Sequence, residues 1–473
     1  MPKLHSIPCL TPICALTLAL GGLAASGCQE DCESPLGSGG PDIEVDFIEV
    51  NDNGAWSWFM SSRAIVSEGK LIVGSVRAVG KAREDEGAEG WGNVEVSTLD
   101  IETGAVGTSV LYPQFEQDDH DAPSLLPLPD GRILAAYAIH GLERVVYTQH
   151  SEVGDPLRWG AAQEFVTPGV DSGFGGDNVT YANLFRFPGG RIYNFYRGYE
   201  SDPNYMYSDD EGETWTYGGR LMEGFDGYAP YLRYAYDGAG TLHFMATEDH
   251  PRHYDNSIYH GYLQGGVIHD SSGAPIAELS ETTGANLSVL DLSLVYAGDE
   301  DHVAWTVDIE LDAERLPYLA FSTQRDGAGV PFFGGAGQDM RYHYGRWDGE
   351  SWSHEEIAYA GTHLYPREED YTGLAALDPT NPNVIYISTD AEPTTGEALI
   401  SEADCRRHYE LFRGTRSDSG WTWESITANS EVDNLRPIVP EWEDERTALV
   451  WMRGTYVRAH GEWTTAVTAA ILP

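Results

Sequence analysis

Positive charge is scarce in this chain. Against 75 Asp and Glu stand 28 Lys and Arg, a formal net charge of −47 over 473 residues. A surface that neutralises a row of phosphates needs a basic patch, so nucleic acid is excluded as a partner. Any anionic ligand must be met by a few local cations acting against a repulsive global field, which salt screens beyond about 8–10 Å. Cysteine is scarcer: Cys9, Cys14, Cys28, Cys32 and Cys405 are all there is. The first two fall in an export signal and the third in its processing site, so only Cys32 and Cys405 could pair in an oxidising compartment. Long stretches of helical periodicity are missing. So are a P-loop, a GxGxxG after a strand, HExxH and GxSxG, which removes support for nucleotide-binding, zincin and α/β-hydrolase readings.

What is present is glycine (53), tyrosine (27) and tryptophan (13), the composition of an all-β protein with many tight turns, as in a barrel, sandwich or propeller. Residues 1–28 read as a signal peptide of lipoprotein type. Lys3 precedes the apolar run from Cys14 to Leu23, and small residues lead to Cys28, which would carry a lipid anchor to the membrane. Residues 29–41, QEDCESPLGSGGP, read as a flexible tether. The chain is therefore expected to be exported, as an outer-membrane or cell-surface lipoprotein or a secreted protein, and to act as a monomer.

A repeat organises residues 42–473. Turns between paired apolar strands recur near Gly69, Gly131, Gly190, Gly240, Asp301, Asn383 and Glu445. Their spacing, mostly about sixty residues, leaves room for four short strands each and predicts a seven-bladed β-propeller. YSDDEGETW, ending at Trp215, fits the SxDxGxTW Asp-box hairpin. GRWDGESW, GTRSDSGWTW and YVRAHGEW, ending at Trp352, Trp423 and Trp463, are degenerate versions. Such hairpins are structural and belong to the outer, lower side of a propeller.

The innermost hairpins carry the chemistry. In QDDHDAPSLLPLPDGRILAAYAIHG, His120 precedes one strand and His140 follows its partner across the Pro129-Asp130-Gly131 turn, so a hairpin brings the two imidazoles to one edge. Tyr181 lies nine residues before Gly190 and Tyr231 nine before Gly240, while Arg197 lies seven after Gly190. Parity places these side chains on one strand face, toward the central funnel. The competing reading is structural: tyrosine is common in strands, and Arg197 could pair with Glu200.

His, Tyr and Arg without a clear carboxylate pair point away from ordinary glycoside hydrolysis. They suit β-elimination at a uronate, where the C5 proton becomes removable once the adjacent carboxylate is neutralised. Several segments in one order, DDHDAP with the later His140, TYANLF followed by FYRG, APYLRY, HPRHYDNSIYHGYLQGG, YTGLAALDPTNPNVIYISTD and DNLRPIVP, resemble the propeller-type polysaccharide lyases with BNR-like repeats, including ulvan lyases. The resemblance implies a lyase acting on an anionic, uronate-containing, sulfated glycan. It also implies that His120 and Tyr181 are the base and acid, in an order left open, and that His140, Arg197 and Tyr231 bind or neutralise the carboxylate. Elimination requires no cofactor. His250, His260, Cys405 and His408 offer N and S ligands for a structural zinc, and similar members hold such a metal. A rhamnosyl-glucuronate lyase, a sialidase-like hydrolase and a non-catalytic glycan-binding propeller are the alternatives.

Overall fold

Short apolar runs punctuated by Gly, Asp and Asn fold here into antiparallel hairpins, because turn residues reverse the chain before a longer element can form. Gly131 shows the requirement: its φ of +85° suits the turn between the strands Ser124–Pro127 and Ile133–Tyr137, a conformation costly with a β-carbon. The computed structural model describes residues 34–37, 40–170, 173, 175–280, 284–285, 287–325, 337–364, 369–458 and 460–473. Among them, seven antiparallel sheets form the blades of a propeller, and the only helical pieces are three short 3-10 turns. Blades 1 to 7 span residues 64–112, 124–166, 180–220, 231–296, 303–361, 375–425 and 433–472.

Stacked blades explain the burial. Ile133–Tyr137 and Thr241–Thr247, second strands of blades 2 and 4, are buried along their whole length, because a neighbouring blade covers each face. The outer strand Val106–Tyr112 alternates exposed and covered residues instead. In the Asp-box of blade 3, Asp210 accepts hydrogen bonds from the Thr214 amide (2.8 Å) and hydroxyl (2.6 Å), and Trp215 packs against the core between blades 2 and 3. The ring closes through the N-terminal strand Ile48–Asn51, which pairs with Glu462–Leu472 and supplies the outer strand of blade 7.

Two expectations from the repeat are corrected. The turn near Asp301 is not an inner hairpin: Ser293–Tyr296 pairs with Ile258–Gln264 in blade 4, while Val303–Leu311 opens blade 5. The true reversal follows at Asp312, whose carboxylate accepts from the Glu314 and Leu316 amides. Two apolar runs flanking a turn look alike whether or not they pair with each other. Likewise, YVRAHGEW is not an Asp-box joining third and fourth strands. It joins the second and third strands of blade 7, at the end of the blade where the funnel opens.

Residues 1–33, including the expected signal and lipid site, lie outside the described residues. Within the expected tether, Ser34 is buried and Leu36 packs against the core, so this piece is docked rather than free. Cys405 is disulfide-bonded, and every other cysteine lies outside the described residues.

The segment from Trp56 to Arg63 crosses the ring axis. Phe59 meets Tyr181, Tyr231, Trp305 and Tyr371 from blades 3 to 6 or their leading loops, and Trp58 meets Tyr456 of blade 7. Arg233 donates to the Trp58 and Met60 carbonyls, and Arg63 to that of Ala182 at 2.7 Å. This plug divides the channel. Below it, a cavity of about 350 Å³ is lined by the inner strands of all seven blades. Above it lies the funnel.

Ring closure depends on the short strand at residues 48–51, where Val50 is 2% exposed and Glu49 points to solvent. Val50→Lys is expected to cost about 3 kcal/mol by burying an unpaired charge and to lower the thermal midpoint by several degrees. Glu49→Lys should leave that midpoint within error in the same melting experiment.

Candidate functional site

Every group at the funnel comes from one of two places: the start of a first strand, or the connection from second to third strand. The site begins with Asp118, which caps the 3-10 turn Asp119–Asp121 just ahead of blade 2. Its Oδ1 accepts from the His120 amide at 3.0 Å and from His120 Nδ1 at 2.7 Å. Its Oδ2 accepts from His140 Nδ1 at 2.9 Å and His460 Nδ1 at 3.1 Å. An ionised carboxylate can only accept, so each Nδ1 carries its hydrogen, and in His120 the Nε2 is left for chemistry. His120 and His140 stack at 3.7 Å with rings 9° from parallel, and His460 stands edge-on to both at 5.7 and 5.5 Å.

Charge in this cluster is unevenly shared. Burial pushes the Asp118 carboxyl up, but the imidazoles of His140 and His120 outweigh it and hold Asp118 well below the usual carboxylate range. Burial pulls His120 down, yet the carboxylates of Asp119 and Asp118 prevail and raise it to about 9. His140 goes the other way, to about 4, because burial dominates and the charge on its stacked neighbour adds to it. Two rings at van der Waals contact cannot both be cations. Beneath them Glu116, accepting from the His140 amide at 3.1 Å, is pushed up to about 7 by burial and by Asp118. Asp119 is fixed by the Tyr456 hydroxyl at 2.5 Å and by Arg436 at 3.8 Å.

The other half of the site is a strained bulge. Thr180 pairs with Arg197 and Asn183 with Phe195, so Tyr181 and Ala182 fall out of register, and Tyr181 takes a φ of +64°. The buried Asn183 amide braces it, donating to the carbonyls of Tyr181 (2.7 Å) and Phe195 (3.1 Å). The bulge brings the Tyr181 ring 5.2 Å from His120 and 6.3 Å from Tyr231. Burial and the neighbouring Tyr231 keep the Tyr181 hydroxyl well above its ordinary value, so it retains its proton. Arg197 lies 4.2 Å over the Tyr231 ring and 5.1 Å from that of Tyr181, and its Nη1 donates to the Tyr231 hydroxyl at 3.3 Å. Glu200, the acid weighed as its partner, binds Arg220 at 2.5 Å instead. Among the described residues, Arg197 makes no ion pair. The five residues expected at the funnel, His120, His140, Tyr181, Arg197 and Tyr231, thus share one patch.

The expected zinc ligands do not meet. His250 lies across the funnel, 4.4 Å from Trp305 and 5.8 Å from Tyr231, and its Nε2 faces Arg252 Nη2 at 2.9 Å. His260 sits within blade 4 between His243 (3.1 Å) and Ser271 (2.8 Å). His408, in blade 6, is held by Asp404 and by Asp433 at the start of blade 7, and Cys405 is committed to its disulfide. Donor types alone suggested the set, and tertiary structure separates it. Among the described residues, the group with ligand atoms close enough for a metal is Asp118, His120 and His140. Their contacts are already satisfied as hydrogen bonds, and two parallel rings do not aim their lone pairs at one point.

Sequence reasoning missed Asp118 as the hub, although DDHDAP contains it, and missed His460 because its turn looked like a structural hairpin. It also missed Glu116, Tyr456 and the plug.

Residues 77–360, more than half of the chain, match the BNR repeat-containing family. The chain belongs to that family. Its fold is that of solved polysaccharide lyases. An ulvan lyase bound to a repeat of glucuronic acid and sulfated rhamnose superposes on this BNR-repeat propeller with a TM-score of 0.58 at 13% identity, covering 89% of this chain and 97% of that one. A second polysaccharide lyase gives 0.54 at 11% identity, over 91% and 99%. No curated protein matches by sequence.

The unequal histidines can be observed directly. In a histidine-labelled NMR titration, His120 should remain an imidazolium to about pH 9 and His140 stay neutral to about pH 4. Asp118→Asn should bring His120 down toward about 6.5.

Proposed function

We propose that this BNR-repeat propeller is a polysaccharide lyase that cleaves a uronate-containing, sulfated, ulvan-like glycan by β-elimination. The observation that carries this reading is an arginine without an ion-pair partner, Arg197, set beside a phenol and a histidine whose Nδ1 is tied down. A uronate carboxylate seated on Arg197, with the Tyr231 hydroxyl and His140 beside it, loses the charge that otherwise protects its C5 proton. His120 Nε2 takes that proton and the C4–C5 double bond forms. The bond from C4 to the glycosidic oxygen breaks, and that oxygen leaves with the neighbouring sugar, protonated by Tyr181. The high pKa of Tyr181 suits the acid, and fixation of His120 by Asp118 suits the base.

The test is the ultraviolet absorbance of unsaturated uronate released from ulvan. Wild-type protein should generate it, and His120→Ala and Tyr181→Phe should each lower kcat/KM by about 10³-fold with the fold intact. Because His120 must first lose a proton held up to about 9, kcat/KM should climb with pH through neutrality and level off near that value. A flat trace on ulvan and on other glucuronate polymers would remove the proposal, and a profile falling across the same range would exclude His120 as the base.

A further inference from the structure

The strands Thr447–Arg458 and Glu462–Leu472 are the longest described, at 12 and 11 residues. At about 3.3 Å per residue the first runs roughly 40 Å, twice an ordinary blade strand. The excess carries the hairpin tip past blade 7 to the turn ahead of blade 2. It is pinned there by backbone: the Asp119 amide donates to the His460 carbonyl at 3.1 Å, and the Gln117 side chain donates to the Gly461 carbonyl at 2.9 Å. His460 itself takes a φ of +45°, uncommon for a residue with a β-carbon. A long hairpin ending in an unfavourable backbone conformation, locked against the candidate site, is a costly arrangement for a turn with no task there.

Of the three imidazoles on Asp118, His460 alone is open. Its side chain is 48% exposed, against 7% for His120 and 12% for His140. Its Nδ1 is committed to Asp118, and its Nε2 has no partner among the described residues. We propose that His460 is a further substrate-binding residue, holding through Nε2–H an oxyanion of the polymer, carboxylate or sulfate ester, on the sugar next to the one cleaved. The inference rests on the lyase reading for the identity of the polymer. It does not require His120 to be the base.

The charged and titratable groups that bear on His460 are Glu116, Asp118, Asp119 and His120 ahead of blade 2 and His140 after its second strand. Burial lowers the affinity of His460 for its proton, but the carboxylate contact with Asp118 leaves it raised above the ordinary value. The ring therefore keeps its proton to a higher pH than a free imidazole does and loses that charge as the solution becomes alkaline.

Steady-state kinetics and equilibrium binding of ulvan should be compared for wild type, His460→Ala and His460→Gln across that range. The variants should raise KM and the dissociation constant about tenfold at neutral pH while kcat stays within a factor of about two. The gap should close at alkaline pH, where the wild-type imidazole is itself neutral. Repeating the comparison on desulfated polymer separates the two anions: loss of the difference assigns the contact to sulfate, and its persistence assigns it to a carboxylate. Unchanged KM and binding, or an equal fall in kcat and kcat/KM at every pH, would overturn the proposal, the latter marking a positioning role. Binding without turnover in wild type, weakened by both variants, would sink the lyase reading and leave His460 standing. A wild type that neither binds nor cleaves would sink both.

Discussion

One buried carboxylate sets the geometry of this funnel. Asp118, 6% exposed, receives three imidazole Nδ1–H groups and one backbone amide on two oxygens. Those donors come from three parts of the chain: the turn before blade 2, the loop after its second strand and the tip of the last blade. Burying a carboxylate is expensive, and only this number of donors makes it tolerable. The same contacts impose one tautomer on each ring. A cluster of histidines thereby becomes an oriented set, with the Nδ1 of each held inward on one carboxylate.

The ring supplies the scaffold and the plug supplies the floor. Seven sheets closed by the N-terminal strand leave a channel that, on its own, would run through the molecule. The residues from Trp56 to Arg63 fill it with aromatic contacts and arginine-to-carbonyl bonds, so the space beneath is separated from the histidines. That lower cavity is lined by the inner strands of all seven blades. The candidate residues lie above it, where Arg197 makes no ion pair among the described residues and a bulge turns Tyr181 toward His120. Under the proposed lyase reading, a few local cations at the funnel must hold an anionic polymer against the repulsive field of a −47 protein.

Much of this was legible in the chain because turn chemistry is local. Six of the seven inner hairpins follow from their Gly, Asp and Asn turns. The fifth was misplaced, since a pair of apolar runs around Asp301 imitates a hairpin whose strands go to different blades. Position relative to the turns, together with the family resemblance, gathered His120, His140, Tyr181, Arg197 and Tyr231, although His120 sits in a 3-10 turn and Tyr181 on a bulge where strand parity does not apply. It did not show what holds them: Asp118 binds His120 and His140 nearby in the chain, but its third partner, His460, lies 342 residues on, and no spacing rule reaches that far. His460 was hidden for a related reason: AHGEW looks like a degenerate structural turn until the length of its strands places it at the funnel. The zinc expectation rested on donor chemistry alone, and the structure puts His260 in blade 4 but Cys405 and His408 in blade 6.

Elimination and hydrolysis differ by one molecule of water, and that difference is the most direct test of what the funnel does. The cleaved glycan should be weighed by mass spectrometry, fragment against fragment. Elimination by His120 and Tyr181 yields products whose masses sum to that of the starting chain, one bearing an unsaturated uronate, with none formed by Tyr181→Phe. Products that together gain a water for each broken bond, or full activity in that variant, would contradict it.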